Sequence, residues 1–507
     1  MVSDDKLART RPGWPVATPL ADLARWLGEH AAGSRTVGDL TAPVTGVSLS
    51  SQRILPGDLY AALPGSRVHG IRFAADAVGA GAVAVLTDDA GAEQAPDVPL
   101  LVVDRPRELL GRLAARVYGE PAEALRLVGV TGTQGKTTTT RLAEGGLQAA
   151  GEHVAVIGTV GTRVDGVDVR TSLTTPEAPD LHGLFAMMRE RGVSGCLMEV
   201  SSHALVMGRV DGVVFDVAVF TNLGRDHLDF HADLDDYFAA KASLFTPGRA
   251  RRGLVNVDDA HGRRLLELAE VPVRSFSAAG ADADWRAVDV VPEATGSRFT
   301  VHGPDGLVLA AAVPLPGDFN VANALAAVAG AAEAGWDPAA LVAGMADGPG
   351  VPGRLERVEA GQDFVVVVDY AHKPDAVESA LRTLRPLTDG RLIVVIGAGG
   401  DRDPGKRPLM GEIAGRLADV LVVTDDNPRT EDPAAIRAAV LDGTRGVGAE
   451  VVEVGDRRAA IREAIASARG GDIVLVAGKG HETGQEVGDV VHPFDDREVA
   501  REELARR

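Results

Sequence analysis

The segment "GVTGTQGKTTTT", Gly129 to Thr140, follows the apolar run "LRLV" and precedes a stretch rich in Ala and Leu. Glycines let the backbone amides of such a loop turn toward an anion, and the start of a following helix adds a favourable dipole. Lys136 can bridge phosphate oxygens, and the Thr137 hydroxyl can bind Mg²⁺. The spacing therefore predicts a strand, a phosphate-binding loop and a helix, with ATP as the expected ligand.

The segment is a variant of the strict phosphate-loop pattern. That pattern places a glycine five residues before Gly135, where this sequence has Val130. An ordinary junction between a strand and a helix is the alternative, but Gly-Lys-Thr in this context favours a phosphate loop. The residues that we expect to contact ATP here are Gly132, Thr133, Gln134, Gly135, Lys136, Thr137 and Thr138.

From Val83 onward, short apolar runs that end in Gly, Asp or Thr alternate with longer segments of helical character. This alternation predicts an α/β fold with mostly parallel sheets. The predicted strands are "GAVAVLTD", "LRLVGVTG", "VVFDVAVFTN", "DFVVVVDYA", "RLIVVIGAGG", "DVLVVTDDN" and "DIVLVAGKG". Polar residues cluster just beyond their carboxyl ends, which is where open α/β sheets bind ligands.

A chain of 507 residues is too long for one ordinary core and suggests about three domains. Turn-rich segments at Pro121–Arg126 and Asp347–Gly353 are the predicted boundaries. We therefore expect a smaller N-terminal α/β domain at 1–123, a central domain resembling phosphate-loop ATPases at 124–350, and a Rossmann-like domain at 351–507.

Composition excludes several classes of protein. Lys and Arg number 52 against 72 Asp and Glu, a formal charge of −20, so nucleic acid is not an expected partner. The single cysteine, Cys196, rules out an internal disulfide framework and a thiolate metal cluster. No apolar run has the length of a signal peptide core or a membrane helix, so we expect a cytoplasmic protein without membrane insertion.

Three residues downstream of the loop have side chains suited to a metal or phosphate site. Glu199 ends the apolar run "CLMEV", His227 lies in "LGRDHLDFH", and Lys241 falls on a predicted helix. A carboxylate at the ligand-binding edge of a sheet suits Mg²⁺. Each residue also has an ordinary interpretation, as a helix cap, a core histidine and a solvated lysine respectively.

Eleven motifs occur together in this sequence. They are "GVTGTQGKTTT", "LTTPEA", "MEVSSHAL", "FTNLGRDHLDFH", "DYFAAKASLF", "GDFNVANALAA", "GRLERV", "DYAHKPDAV", "GAGGDRDPGKRPLM", "DNPRTEDP" and "AGKGHE". Their order resembles that of the Mur ligases of peptidoglycan synthesis, from about Gly46 to about Ala500. The resemblance implies an ATP-dependent ligase that adds meso-diaminopimelate to the D-glutamate of UDP-N-acetylmuramoyl-L-alanyl-D-glutamate.

The resemblance also implies roles for residues of the central site. Lys136, Glu199, His227 and Lys241 match catalytic residues, and Thr137, Glu199, His227 and Lys241 match the metal site. It further implies two Mg²⁺ ions and a carbamate on Lys241 derived from CO₂, because a carbamate is an anionic oxygen ligand. Asn320, Arg354 and Asp369 match residues that complete the ATP site.

The first domain is expected to bind the UDP-sugar peptide. Matching residues are Leu49, Ser51, Ser66, Arg67, Val68, Thr174, Thr175, Ser201 and Arg209. Ser50 and Gln52 depart from the residues usual in the family. The alternative interpretation of "LTTPEAPD" is an ordinary helix start, with Thr175 as the cap and Pro176 as the first helical residue.

The third domain is expected to bind the amine substrate. The residues that match the diaminopimelate site are Arg402, Asp426, Asn427, Pro428, Arg429, Gly478 and Glu482. Diaminopimelate has one carboxylate more than lysine, so a pair of guanidinium groups can select it. The alternative is an ordinary turn with solvated arginines. "GAGGDR" is not a dinucleotide motif, because Arg402 replaces its third glycine.

The expected chemistry is activation of the D-glutamate carboxylate by ATP to an acyl phosphate, which the amine then captures. Since an acyl phosphate hydrolyses in water, we expect the site to close about the Gly- and Pro-rich stretch Asp347–Gly353. We expect a monomer. A sister ligase that adds L-lysine or another amine, and a non-catalytic nucleotide-dependent switch protein, are the alternatives.

Overall fold

The computed structural model describes residues 10–293, 296–346, 348 and 350–507. The chain forms two compact units. The first comprises Met1–Arg286, Val301–Leu309 and Asn323–Met345, and the second comprises Ala287–Thr300, Ala310–Ala322 and Ala346–Arg507. Asp347 and Pro349 of the predicted hinge, and residues 1–9, lie outside the described residues. The boundaries at 123/124 and 350/351 stay predictions.

The first unit contains a five-stranded sheet near its amino terminus. In order across the sheet, its strands are Arg35–Val37, Leu100–Val102, Ala84–Thr87, Asp58–Ala61 and Gly46–Ser48. All neighbours are parallel except the first pair, which is antiparallel. The strands Thr18–Pro19 and Pro43–Val44 form a separate antiparallel pair. The helices are Leu20–His30, Ala74–Gly79, Asp89–Ala92 and Pro106–Val117, with 3₁₀ turns Ser51–Arg53, Gly70–Phe73 and Pro121–Ala124.

A larger sheet carries the predicted phosphate loop. Its strands run in the order Val167–Val169, Gly161–Val164, Val154–Gly158, Gly195–Glu199, Arg126–Thr131, Phe215–Phe220, Ala250–Asn256 and Val273–Ser277, and then the start of Trp285–Glu293. From Val154–Gly158 onward these neighbours are parallel, so their carboxyl ends meet at one edge. The loops that follow Thr131, Glu199 and Phe220 therefore lie side by side.

Helices cover this sheet because their apolar residues pack on the strands. The helices of this region are Lys136–Ala149, Ala178–Glu190, Ser202–Val206, Leu234–Ala242, Ala260–Leu268, Asp318–Glu333 and Pro338–Ala346. The strands Gly296–His302 and Val308–Val313 and the 3₁₀ turn Pro304–Gly306 come between Trp285–Glu293 and Asp318–Glu333 in the chain. The strands have continuous apolar runs, such as buried Leu127, Val128 and Val130, because both faces of the sheet are covered.

The second unit is built on a six-stranded sheet. Its order is Glu356–Arg357, Val365–Asp369, Ile473–Ala477, Leu392–Ile396, Val420–Val423 and Glu450–Glu453, and only the first strand is antiparallel to its neighbour. The helices are Pro374–Leu384, Lys406–Leu417, Pro433–Asp442, Arg457–Ser467 and Asp496–Ala505, with a 3₁₀ turn at Arg385–Leu387. Strands Gly484–Val487 and Val490–Pro493 form an antiparallel hairpin.

The structure confirms the α/β fold and all seven strands predicted from the apolar runs. Cys196 is buried in the strand Gly195–Glu199, and burial raises the pKa of its thiol. Among the helices that the structure describes, none is both long and apolar enough to cross a bilayer.

Candidate active site

The phosphate loop requires glycine at two positions. Gly132 has φ +147°, and a Cβ there would overlap the Thr221 hydroxyl oxygen. Gly135 has φ +87°, and a Cβ there would overlap the Asn323 side-chain oxygen. Both backbone conformations are rare for residues with a Cβ. The loop is thus a cradle of bare backbone, as phosphate binding requires.

The neighbouring strand end holds the loop in shape. The Asn222 carbonyl accepts from the Thr133 amide at 2.9 Å, and its side-chain oxygen accepts from the Gln134 amide at 2.9 Å. The Thr221 hydroxyl donates to the Gln134 carbonyl at 2.6 Å. These bonds anchor the first half of the loop, while the helix Lys136–Ala149 presents the amide groups of its first turn.

Two lysines converge on the loop. Lys136 Nζ and Lys241 Nζ each donate to the Gly132 carbonyl at 2.8 Å, and Lys136 Nζ also donates to the Thr133 carbonyl at 3.1 Å. Lys241 is almost fully buried and lies 4.4 Å from the centre of the Tyr237 ring. Burial raises the pKa of Tyr237, whose neutral phenol lies 3.3 Å from the Thr133 hydroxyl. Lys136 thus places a positive charge beside the loop, which suits a polyphosphate.

Glu199 lies buried at the end of its strand. Its two carboxylate oxygens accept from the Thr159 amide at 2.8 Å and the Thr159 hydroxyl at 3.0 Å. A Cβ on Gly158 would overlap the same carboxylate. Glycine is therefore needed beside Glu199, and the carboxylate is fixed in direction.

The predicted metal ligands do not form a complete cage of protein side chains. Within the described part of the chain, no group of three or more His, Cys, Asp or Glu side chains is arranged to hold a metal ion. Thr137 is buried at the first turn of its helix, and His227, at φ +53°, lies 3.1 Å from Asp226. One fixed carboxylate and one hydroxyl beside a phosphate cradle fit Mg²⁺, which takes few protein ligands and completes its shell with phosphate oxygens and water.

Residues that sequence analysis did not assign surround His227. His203 stacks on Phe230 with ring centres 4.0 Å apart and meets His227 edge-on at 4.8 Å. Burial, followed by the charge of His231, lowers the pKa of His203. His231 bonds to the Ser202 hydroxyl at 3.0 Å, so it ties two loops of the site together. His203 and His231 stand in the motifs "EVSSHAL" and "LDFH", but no sequence pattern indicates that the two histidines lie close together.

Thr175 is not a helix cap, so the alternative interpretation of its segment is wrong, while its role in binding stays a prediction. The helix begins at Ala178, with Glu177 in the cap position. The Thr175 hydroxyl donates instead to the Glu199 carbonyl at 2.8 Å and accepts from the Ser201 amide at 3.2 Å. The hydroxyl thus stabilises the loop after the neighbouring strand. The two partners are 24 residues apart in sequence, so local capping rules do not detect this contact.

The other residues predicted to bind the UDP-sugar peptide are spread over several loops of the first unit. Thr174 lies 3.2 Å from the Thr159 hydroxyl, and Arg209 donates to Glu177 at 2.8 Å. Ser201 caps the helix Ser202–Val206. Leu49 and Ser51 are half-buried, and Ser66, Arg67 and Val68 are exposed. Their role in binding stays a prediction.

The second unit brings the two predicted arginines together. A Cβ placed on Gly399 would lie 3.2 Å from Arg429 Nη1 and 3.9 Å from Arg402 Cγ, so both side chains pass beside this glycine. Arg429 is about three-quarters buried and Arg402 is exposed. A guanidinium group can bind a carboxylate through two parallel hydrogen bonds, and two arginines start from this one strand edge.

A buried lysine organises the other predicted amine-site residues. Lys479 Nζ donates to the Asn427 side-chain oxygen at 2.8 Å and to Glu482 at 3.1 Å, and lies 3.6 Å from Asp426. Asn427 Nδ2 donates to the same Glu482 oxygen at 3.0 Å. Because an ammonium group only donates, these contacts fix the orientation of the Asn427 amide. Lys479 was missed, although it stands in "AGKGHE".

A second missed residue holds the ends of two strands. Arg457 is fully buried and forms a two-pronged ion pair with Asp496 at 2.6 and 2.8 Å. It also donates to the carbonyls of Ala477 at 3.1 Å and Asp425 at 3.4 Å. These carbonyls directly precede Gly478 and Asp426 of the predicted amine site.

The residues predicted to complete the ATP site lie in the second unit. Asn320 is buried and donates to the Pro316 carbonyl at 2.8 Å. Asp369 accepts from the amides of Leu355 at 2.7 Å and Ala371 at 2.8 Å, and burial raises its pKa. The Arg354 guanidinium lies 4.6 Å from the centre of the Tyr370 ring.

His372 of the same segment stays neutral in the folded state. Burial, followed by the charge of Lys373, lowers its pKa to about 3. The His372 Nδ1 lies 2.8 Å from the Tyr370 carbonyl, and the His372 carbonyl accepts from Lys406 Nζ at 3.1 Å.

A phosphate loop at the carboxyl edge of a parallel sheet, together with a Rossmann-like unit that holds paired arginines, defines an α/β enzyme that uses a nucleotide. Three family models match the chain: "Mur ligase family, catalytic domain" over residues 43–118, "Mur ligase middle domain" over 130–331 and "Mur ligase, glutamate ligase domain" over 353–480.

Curated relatives match almost the full length. A UDP-N-acetylmuramoyl-L-alanyl-D-glutamate–2,6-diaminopimelate ligase of Streptomyces coelicolor is 55% identical, covering 98% of this chain and 99% of the relative. One of the same name from Corynebacterium glutamicum is 48% identical, covering 96% of each. A UDP-N-acetylmuramyl-tripeptide synthetase of Leifsonia xyli is 45% identical, covering 97% and 96%.

A solved structure of a UDP-N-acetylmuramoyl-L-alanyl-D-glutamate–2,6-diaminopimelate ligase is 33% identical, with a TM-score of 0.67, and covers 97% of this chain and 99% of that one. The chain belongs to the Mur ligase family. It is therefore an ATP-dependent ligase that joins a carboxylic acid to an amino acid and forms ADP.

Proposed function

We propose that this ligase adds meso-2,6-diaminopimelate to the D-glutamate of UDP-N-acetylmuramoyl-L-alanyl-D-glutamate, a step of peptidoglycan synthesis. The observation that carries the proposal is the pair Arg402 and Arg429 beside Gly399. Two guanidinium groups match the second carboxylate that distinguishes diaminopimelate from lysine. The names of the relatives at 55% and 48% identity support the same substrates.

The first step activates the acid. A carboxylate is a poor acylating agent because its leaving group would be oxide. A D-glutamate carboxylate oxygen attacks the γ-phosphorus of ATP, the bond to the bridging oxygen breaks, and ADP leaves with the electron pair. Lys136, held over the loop by two carbonyls, is placed to neutralise charge on the phosphates. The product is an acyl phosphate.

In the second step an amine of diaminopimelate attacks the acyl carbon. The tetrahedral intermediate collapses, the bond from carbon to the phosphate oxygen breaks, and inorganic phosphate leaves. The nitrogen loses its proton and an amide remains. Arg402, Arg429 and the network around Lys479 orient the amino acid for this attack.

We propose that Thr137, Glu199, His227 and Lys241 hold two Mg²⁺ ions, which would neutralise charge on the phosphates. The burial of Lys241 beside the loop supports a carbamate on its nitrogen, since this converts a cation that repels metals into an oxygen ligand. We also assign the UDP-sugar peptide to the loops around Leu49, Ser66–Val68, Thr174 and Arg209.

A sister ligase that adds L-lysine or another amine is the alternative, since the name of the Leifsonia relative specifies no amine. The test measures phosphate release with ATP, Mg²⁺, the UDP-dipeptide and either meso-diaminopimelate or L-lysine. We expect kcat/KM for meso-diaminopimelate to be at least about 100-fold higher than for L-lysine. L-Lysine leaves the two guanidinium groups without a carboxylate, which costs more than about 2.7 kcal/mol. Equal rates with both amines would overturn the proposed substrate.

The matched variants are Arg429→Lys and Arg445→Lys. Lysine keeps the charge but loses the planar fork, so R429K should raise the KM for meso-diaminopimelate at least about tenfold. Arg445 is exposed, and among the residues that the structure describes it pairs with Asp442 alone, so R445K should match the wild type.

A further inference from the structure

The hairpin formed by Gly484–Val487 and Val490–Pro493 lies just beyond residue 480, where the matched family model ends. Gly488, at φ +58°, starts its two-residue turn. None of the residues predicted to bind a substrate lies in this hairpin. In the structure its first strand contacts the turn that carries Arg429.

The hairpin holds the backbone of Arg429. The Arg429 amide donates to the Glu486 carbonyl at 3.1 Å, and the Arg429 carbonyl accepts from the Gly488 amide at 2.7 Å. Arg429 also forms an isolated parallel bridge with Val487. Its φ of +52° is uncommon for a residue with a long side chain. The hairpin therefore fixes Arg429 in a conformation that a free turn would rarely keep.

The same hairpin also holds the guanidinium group. Arg429 Nε donates to Glu486 Oε2 at 2.6 Å, and Nη1 donates to the Gly400 carbonyl at 2.8 Å. Within the described part of the chain, Nη2 makes no hydrogen bond. Two of the three nitrogens are thus fixed by the protein, and the third is left for a ligand.

Glu486 is itself anchored to the predicted amine site. Its amide donates to the Asn427 side-chain oxygen at 3.0 Å, and Gln485 Nε2 donates to the Asp426 carbonyl at 2.7 Å. Since Asn427 is bonded to Lys479 and Glu482, the hairpin and the amine site form one hydrogen-bonded frame.

We propose that Glu486 is a positioning residue that sets the amine specificity of the enzyme by aiming Arg429 at the second carboxylate of the amino acid. The inference rests on the proposed function. Glu486 fixes Nε and the Gly400 carbonyl fixes Nη1, so the orientation of the guanidinium plane is set and the N–H groups of Nη2 are left for the carboxylate. Without Glu486, Arg429 regains rotamer freedom that a carboxylate must then remove on binding.

The test compares Glu486→Ala and Glu486→Gln with the control Glu453→Gln. Glu453 also accepts from an arginine Nε, that of Arg437 at 2.8 Å, and both glutamates are 44% exposed. In phosphate-release assays, E486A should raise the KM for meso-diaminopimelate about tenfold, keep kcat within about twofold, and leave the KM for ATP unchanged. E486Q, which keeps an acceptor oxygen, should show a smaller rise, and E453Q none.

L-Lysine provides a second readout, because it lacks the carboxylate at which Arg429 is aimed. The preference of E486A for meso-diaminopimelate over L-lysine should fall about tenfold, because kcat/KM falls for meso-diaminopimelate and stays unchanged for L-lysine. Unfolding midpoints of all variants should match the wild type, which separates positioning from a loss of fold.

The outcomes separate the two proposals. If the wild type prefers meso-diaminopimelate and E486A keeps the same KM and preference, the role of Glu486 is overturned and the function stands. A lower KM in E486A would overturn it as well, since Glu486 would then compete with the ligand. If the wild type does not distinguish the amines, the proposed function is wrong, and the specificity role is overturned with it.

Discussion

At the scale of single residues, two glycines decide whether the phosphate loop can form. Gly132 and Gly135 both have positive φ, and neither has room for a Cβ. The lysines that meet on the Gly132 carbonyl depend on this backbone path. The loop was predictable from sequence because its glycines, lysine and threonine are contiguous.

Gly132→Ala tests this dependence. The new Cβ would overlap the Thr221 hydroxyl, so the loop must shift, and we expect kcat/KM for ATP to fall about 100-fold or more. Gly145→Ala is the matched control, because a Cβ there meets nothing within 4 Å and alanine favours a helix. Phosphate release and calorimetric ATP binding measure the effect. Binding of ATP by G132A as tight as by the wild type would contradict this account.

The residues that hold the functional side chains were harder to foresee than those side chains themselves. Glu486, Lys479 and Arg457 contact partners that are distant in sequence, and a single sequence carries no signal that pairs them. Glu199 was predicted because it ends an apolar run, but its bonds to Thr159 span 40 residues. Motifs therefore predicted the candidate site residues, and the structure was needed to find what orients them.

At the scale of secondary-structure elements, Arg457 joins two strand ends to a helix. Its guanidinium donates to the carbonyl of Ala477, which ends the strand Ile473–Ala477, and to that of Asp425, which follows the strand Val420–Val423. It also pairs with Asp496 at the start of the helix Asp496–Ala505. Asp426 and Gly478 of the predicted amine site directly follow these carbonyls, so their separation depends on this ion pair.

Asp496→Asn should destabilise the protein by about 3–5 kcal/mol, because it removes the charged partner that is hydrogen-bonded to a buried guanidinium. The pair Arg458–Glu502 is the control, since both side chains are partly exposed. Glu502→Gln should change the free energy of unfolding by less than about 1 kcal/mol. Urea unfolding measures both. A loss in D496N no larger than that in E502Q would show that the buried pair is not essential.

The elements themselves were well predicted. Buried parallel strands are continuous apolar runs, and all seven that were read from the sequence are present. The alternative interpretation of one segment, as a helix start, was wrong. "TTPEAP" has the residues of a cap, but Thr175 bonds to the next strand's loop, so the helix starts at Ala178. Tertiary contacts override local capping preferences where a strand end offers a better partner.

At the scale of the whole molecule, the chain is two compact units. The first contains the five-stranded sheet and the strands around the phosphate loop, and the second contains the six-stranded sheet. Such a chain is not expected to unfold as one cooperative block. The unit with the phosphate loop should gain stability from ATP by mass action, about 2.7 kcal/mol at a concentration 100 times the Kd.

Scanning calorimetry should therefore resolve more than one transition, and an ATP analogue with Mg²⁺ should raise the midpoint of at least the one that belongs to the unit with the phosphate loop, by several degrees. D496N should lower the midpoint of the other, since Arg457 and Asp496 both belong to the second unit. The control is Lys136→Ala, in which the analogue should produce no shift. One transition with equal calorimetric and van't Hoff enthalpies would contradict this prediction.

The burial of Cys196, with its raised thiol pKa, makes the natural protein a ready background for site-specific labelling. A maleimide dye reacts with accessible thiolates, so it should leave the wild-type chain unmodified. A cysteine introduced at an exposed position of each unit would then carry the only fluorophores, and energy transfer between them would report motion during turnover without any prior removal of native thiols.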